Sequence, residues 1–245
     1  MTESENHMDK QRIIYEDKDI IVCHKPAGIA TQTAKIGQRD MVSEISNYLV
    51  SCQNRAKPYV GVVHRLDQPV EGILVFAKNP KTAGELGRQM AANKMKKQYY
   101  AVIAAEDLKP EDVAAGVERT LVDYLYKDGR TNTSSVVEKE HQDAKRAELS
   151  YEIVEQQPET GLVLVRICLK TGRHHQIRVQ MSHAGMSLIG DSKYADENTK
   201  QLSKRLGIGQ IALCAYQLSF EHPATGKRML FQITPEGRIF QTFSV

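Results

Sequence analysis

The stretch Gly61–Asn79, GVVHRLDQPVEGILVFAKN, joins two apolar runs through a segment carrying both signs of charge. Ionised side chains avoid a strand core unless they are paired or hydrogen-bonded. Arg65 and Asp67 are therefore either a structural ion pair or part of a reactive centre. The run GILVFAK that follows is β-rich and apolar at consecutive positions, the pattern of a central strand covered on both faces. Such a strand needs neighbours, and the flanking sequence supplies them.

Upstream, RIIYEDKDIIVCHKPAGIATQ reads as two short strands around the acidic turn EDKD, then a Pro-Ala-Gly loop. MVSEISNYLVSC has helical spacing at Val42, Ile45 and Leu49, with a Ser or Asp nearby as cap. PYVGVVHRLD reads as a strand running into a polar loop. Downstream, PKTAGELGRQMAANKM is a helix with Pro80 in its first turn, and KKQYYAVIAA a strand. The polar region 105–160 carries an Asp-Gly turn signal at 128–129, which predicts a hairpin insertion. KRAELSYEIVEQ alternates as a half-exposed strand, and GLVLVRICLKTG is a second core strand. RHHQIRVQMSHAG has helical spacing and ends on Gly185, SLIGDSKY is a loop, and IALCAYQLSF and KRMLFQIT close the fold around the turn EHPATG. Strands dominate and no βαβ alternation is sustained. The fold class is α+β, a mixed, mostly antiparallel sheet with flanking helices. Residues 1–11 read as a disordered tail and 12–245 as a single domain.

Composition narrows the function. A chain of 245 residues with 41% hydrophobic and 26% charged residues is ordinary for a globular protein. Its apolar runs are too short to span a bilayer, and MTESENHMDKQR has no secretory core, so no membrane is expected as partner and the cytoplasm is the expected compartment. Cys23, Cys52, Cys168 and Cys214 lack zinc-ribbon spacing and read as small hydrophobes. The net charge of +3 is compatible with a nucleic-acid partner bound through a local basic patch.

Three clusters carry candidate chemistry. Asp67 suits a nucleophile or general base, but read by itself it suits a cap of the loop DQPVEG better. His64, three residues earlier, raises a metal site, but no third ligand is placed by spacing. In KTGRHHQIRVQMSH, a helix beginning at the histidines would put His174 and Arg178 on one face and turn His174 and His175 about 100° apart. There Arg173 and backbone N–H groups could meet a phosphate, or the segment could be an exposed basic helix face. In NKMKKQYYAV, Lys94, Lys96 and Lys97 precede Tyr99 and Tyr100, a pattern that suits phosphates and a stacked base, or a solvated charge run.

In this order the segments resemble the RluA-type pseudouridine synthases. The resemblance rests on HRLDQPVEGILVFAKN, YEDKDIIVCHKPAG, KKQYYAV, TGRHHQIRVQMSHAGMSLIGDSKY and LCAYQLSFEHPATGK, and covers roughly residues 12–235. It implies an enzyme that breaks the glycosidic bond of a uridine in structured rRNA or tRNA, turns the uracil in place and rejoins it through carbon 5, with no cofactor and no metal. It implies Asp67 as the catalytic carboxylate, Tyr99 as the ring against the uracil and Arg178 as the partner of the aspartate. Arg65 matches a position that can fill the gap left by a flipped base, or it forms an ion pair within its loop. His64, Lys94, Lys96, Lys97, Arg173 and His174 are the remaining candidate RNA contacts. Two departures stand out. Val70-Glu71 replaces the Thr-Ser of most relatives before Gly72, and Glu71 would repel phosphate unless it faces a lysine. Almost nothing precedes Arg12 where many relatives carry a small RNA-binding domain, so RNA grip is expected from the catalytic domain, as a monomer. The competing reading is a non-catalytic RNA-binding or chaperone protein that has kept the fold; a phosphoesterase using a metal on His64, Asp67 and His174 is a third.

Overall fold

The computed structural model describes residues 10–35, 37–53, 57–105 and 114–245. The tail expected over residues 1–11 lies outside them up to residue 9, and Lys10–Arg12 forms a turn of 3-10 helix. Positions 106–113 of the expected 105–160 insertion also lie outside the described residues. The chain divides into two compact units, residues 1–96 with 215–233, and residues 97–214 with 234–245.

The first unit is built on β1 (Ile13–Glu16) and β2 (Ile20–Lys25). The turn between them is made by Asp17, whose Oδ1 accepts the N–H of Asp19 and of Ile20, both at 2.8 Å. Its Oδ2 takes the His222 Nε2–H at 2.7 Å, which ties this turn to the far end of the chain. The helix α1 (Met41–Gln53) starts at Asp40, whose Oδ1 accepts the Ser43 N–H at 2.7 Å, so the cap foreseen as Ser or Asp is the aspartate. β3 is only Gly61–Val62, shorter than the strand expected from PYVGVV. β4 (Glu71–Ala77) is buried at every position, as the two-faced apolar pattern predicts. It pairs antiparallel with β2, setting Ile20 opposite Ala77 and Lys25 opposite Gly72. The helix α2 (Pro80–Ala91) has Pro80 at its first position and Asn79 as cap, accepting the Thr82 N–H at 2.9 Å.

β5 (Lys96–Ala104) carries the chain into the second unit, where β6 (Arg119–Asp128), β7 (Thr133–Val137), β8 (Lys145–Gln157) and β9 (Leu162–Leu169) follow. The order β5-β9-β8-β6-β7 is antiparallel throughout. β6 and β7 are the predicted hairpin, and its turn begins at Asp128, which accepts the Arg130 N–H at 2.8 Å. Two helices follow, α3 (Gln176–His183) and α4 (Glu197–Arg205). The second has no counterpart in the sequence reading. β10 (Leu213–Glu221) and β11 (Arg228–Gln232) pair antiparallel and return the chain to the first unit, where the order is β1-β2-β4-β10, β11 lies on β10 and β3 on β4. The core of that unit gathers Ile20, Val22, Ile73, Val75, Leu86 and Phe220. The architecture is the α+β fold with a mixed sheet that the pattern of strands implied.

Candidate active site

The loop holding Asp67 hangs from a buried cation. Lys25, at the end of β2, has no exposed surface, and its ammonium donates to the carbonyl oxygens of Pro26 at 2.9 Å, Ile29 at 2.6 Å and Gln68 at 3.0 Å. Two loops are thereby pulled onto one point. Further bonds close the seam between them. Gly28 N–H donates to the Gln68 carbonyl at 2.9 Å, and Thr31 Oγ1 both accepts from Leu66 N at 3.1 Å and donates to Leu66 O at 3.0 Å. Val70 N–H donates to the Asp67 carbonyl at 3.0 Å, folding the residue into a tight turn just before β4. Asp67 itself is half-buried, on a backbone held by these bonds.

Burial pushes the Lys25 ammonium down to about 8, and the negative charges of Asp67 and Glu71 pull in the opposite direction. Glu71, buried in β4, thus sits in the field of a lysine, which answers the repulsion its sequence position raised. Its Oε2 also lies 3.9 Å from His24 Nε2. Gly72, with φ at +141°, comes so close to β10 that a Cβ there would meet the Ala215 backbone N and O at 2.6 Å. That is why a glycine must follow Glu71.

Arg65 is exposed and its Nη2 donates to Gln32 Oε1 at 2.8 Å; no Arg65–Asp67 ion pair forms among the described residues. His64 is buried, and its Nε2 accepts the Val75 N–H at 3.3 Å, a contact that positions the strand. Lys94 and Lys96 end the first unit, both exposed.

In the second unit, Lys97 is half-buried and loss of water lowers its pKa. Tyr99 is buried and Tyr100 half-buried, the opposite facing that alternation along β5 requires. Arg178 forms a two-pronged ion pair with Asp191, Nε to Oδ2 at 2.8 Å and Nη2 to Oδ1 at 2.6 Å, and its guanidinium carbon lies 5.0 Å from the centre of the Tyr194 ring. Burial would raise the Asp191 carboxyl, but the Arg178 fork and the N–H groups of Lys193 and Tyr194 outweigh it and hold the group below its ordinary value. Asp191 and Lys25 were both missed by sequence reasoning. The available signals were a lysine placed between a buried strand and a proline, HKPAG, and an aspartate following the glycine of LIGD.

The histidine pair corrects another expectation. The helix α3 starts at Gln176, after His175, which takes a left-handed conformation with φ 53°. His174 therefore does not share a helical face with Arg178. The two imidazoles stack, ring centres 3.7 Å apart, instead of diverging. Gln176 fixes this entry: its Oε1 accepts from Arg173 N at 2.9 Å, and its Nε2 donates to the Glu148 carbonyl at 3.0 Å. His174 is bonded to β7 at Ser134 Oγ, 2.9 Å from Nδ1, and to Asn132 Oδ1, 3.1 Å from Nε2. His175 Nδ1 lies 2.6 Å from the Tyr194 hydroxyl, which also accepts the Ser134 N–H at 2.8 Å. Burial, with Lys127, Lys193 and Arg178 nearby, lowers His174 to about 4. Burial and the neighbouring His174, Arg178 and Lys193 lower His175 to about 3. Both rings are neutral at pH 7. His174 then donates from Nε2 to the Asn132 oxygen and accepts the Ser134 hydroxyl proton at Nδ1.

Residues 19–183 match the family model described as RNA pseudouridylate synthase. The chain belongs to the RNA pseudouridylate synthase family. It is 31% identical over 232 residues to the ribosomal large subunit pseudouridine synthase D of Zymomonas mobilis, covering 89% of this chain and 67% of that protein. It is 30% identical over 217 residues to the dual-specificity RNA pseudouridine synthase RluA of Vibrio parahaemolyticus, covering 86% and 78%. It is also similar to the tRNA pseudouridine synthase C of Haemophilus ducreyi, at 26% identity over 214 residues, 87% of this chain and 86% of that one. The solved structure of human RNA pseudouridylate synthase domain containing 4 shares the fold, with a TM-score of 0.73 and 21% identity over 94% of this chain and 90% of that chain. The resemblance read from HRLD and its companion segments is thus borne out: this is an RluA-type pseudouridine synthase, an isomerase. No helix among the described residues is long and apolar enough to cross a membrane.

Proposed function

We propose that this enzyme isomerises specific uridines of ribosomal or transfer RNA to pseudouridine, with Asp67 as the catalytic carboxylate. The observation that supports it most is the anchoring of the Asp67 loop: Lys25, beyond the reach of solvent, holds the carbonyls of Pro26, Ile29 and Gln68, and feels the Asp67 charge. A carboxylate that must meet one atom of a nucleoside needs a backbone that does not drift. The relatives named for ribosomal and transfer RNA give the substrate class.

A uridine within RNA must leave its stack before it reacts, at a cost of a few kcal/mol. Stacking against a planar ring offsets part of that cost. By the family resemblance Tyr99 supplies the ring, and Arg178 stabilises the ionised aspartate. By the same resemblance Arg65, exposed two residues before Asp67, matches a position that can fill the vacated stack. No metal or cofactor enters the reaction as proposed.

The test is tritium release from RNA carrying uridine labelled at carbon 5, because isomerisation frees that hydrogen. Wild-type protein should release tritium from ribosomal or transfer RNA, and Asp67→Ala should release none while binding the same RNA within about threefold of wild type. Undiminished release by Asp67→Ala would overturn the assignment. Cellular phenotypes left fully intact by Asp67→Ala but lost on deletion of the gene would instead favour an RNA chaperone.

A further inference from the structure

The hairpin β6–β7 and the segment before α3 line an open cavity of about 450 Å³. Its wall carries Tyr126, Lys127, Asp143, Lys145, Arg173 and His174. The volume lies in the range of small-ligand sites. Three basic side chains line it with one carboxylate, and His174 is neutral at pH 7.

The cations are not consumed by the fold. Among the described residues the ammonium groups of Lys127 and Lys145 have no hydrogen-bond or ion-pair partner, and both side chains are exposed. The Arg173 guanidinium is held by Nε donating to the Arg146 carbonyl at 2.9 Å, and among the described residues its terminal nitrogens have no partner. The wall itself is rigid. His174 bolts the hairpin to the segment before α3 through Ser134 and Asn132, and Lys193 Nζ donates to the Asn132 carbonyl at 2.9 Å. Behind it Leu125 packs in a small core with Ala147 and Val179. Like charges gathered on a stiff frame repel one another, and an anion relieves that repulsion.

We infer that this cavity is a docking site for the phosphodiester backbone of the RNA substrate, gripped by Lys127, Lys145 and Arg173, with His174 as a brace of the wall. The inference rests on the reading of RNA as substrate and assigns part of its grip to the hairpin insertion.

Binding of bulk tRNA and of a large-subunit ribosomal RNA transcript is measured by filter retention from 50 to 300 mM salt. The Lys127→Ala/Lys145→Ala double variant should bind roughly tenfold or more weakly at 0.1 M salt, and the slope of log affinity against log salt should fall by about 1 for each lysine removed. Asp143→Asn, which removes the one carboxylate of the wall, should bind more tightly, by roughly threefold. Lys200→Ala/Lys204→Ala, an equal loss of charge on α4, should change affinity less than twofold. An unchanged slope in the Lys127/Lys145 variant, or an equal loss in the α4 control, overturns the inference. Tritium release by the wild type with pocket-independent binding would remove the docking site alone. Pocket-dependent binding without tritium release would remove the proposed activity and keep the site. Failure of the wild type to bind either RNA would overturn both.

Discussion

Lys25 in the first unit and His174 in the second do similar jobs: each pins two segments together with a titratable side chain. Burial pushes both toward the neutral form. Their neighbours then decide the outcome. Around Lys25 stand Asp67 and Glu71, which oppose the shift, so the ammonium remains charged at pH 7 with a pKa near 8. Around His174 stand Lys127, Lys193 and Arg178, which add to the shift and hold it near 4. A charged pin is suited to carbonyl oxygens and to carboxylate neighbours. A neutral pin is suited to a wall already crowded with cations.

The strongest way to break the first pin is Lys25→Met. It keeps the stem and removes the donors, leaving the carbonyls of Pro26 and Ile29 short of a partner while the Gln68 carbonyl keeps the Gly28 N–H. The expected loss is about 2 kcal/mol of stability by urea unfolding, since each carbonyl left without its donor costs about 1 kcal/mol or more. Turnover should fall at least tenfold in the tritium assay because the Asp67 turn loses its anchor. A stability within 0.5 kcal/mol of wild type would show that the three bonds contribute little.

Raising the pH tests the same pin without mutation. The folded pKa of Lys25, about 8, lies below the ordinary lysine value of 10.5. Between these two values the unfolded chain holds the proton and the folded chain does not, so this group makes folding more favourable as pH rises. The carboxylates of Asp67 and Glu71, however, lose their counter-charge over the same window. Activity should therefore decline above about pH 8 without loss of fold. A pH–rate profile beside a pH series of unfolding curves checks this, and an alkaline limb that stays flat to pH 9.5 counts against it.

Lowering the pH addresses the second pin. His174 and His175 have folded pKa values near 4 and 3, below the ordinary 6.5. The stability they contribute is full above pH 6.5 and is lost as pH falls toward 4, because the unfolded chain takes the protons first. Hydrogen exchange at Thr133–Val137, corrected for intrinsic rates, should show less protection at pH 5 than at pH 7. His174→Ala should flatten that difference, and equal protection at both pH values in the wild type would refute the sign.

What the sequence shows of this molecule is the part governed by local chemistry. The two-faced apolar run of β4, the Asn79-Pro80 start of α2 and the Asp128-Gly129 hairpin signal each act within a few residues, and each is found in the structure. α4 escaped because ENTKQLSKR buries only Thr199, Leu202 and Ser203, too few for an apolar stripe. The start of α3 was misplaced because Gln176–Met181 are all buried, so no face contrast marks where the helix begins. At the site, HRLD was legible as a motif, and the comparisons bear out its family. The partners were not: Lys25 reaches across 43 positions to Gln68, and Asp191 lies 13 positions from Arg178. Burial of a lysine cannot be read from its own neighbours in the chain.

The smallest effect expected is at Asn132, the exposed end of the second pin. Its Oδ1 accepts from His174, its carbonyl accepts from Lys193, and its backbone is left-handed at φ 53°. Asn132→Ala removes the side-chain acceptor and places a residue that resists this conformation, at a combined cost of about 1 kcal/mol or slightly more. Asn132→Gly removes the acceptor but tolerates the backbone, at a cost of about 0.5 kcal/mol. The difference between the two isolates the backbone contribution. If thermal melts place both variants at the wild-type midpoint, then His174 is held by Ser134 alone, and the contrast with the three-fold grip of Lys25 becomes sharper still.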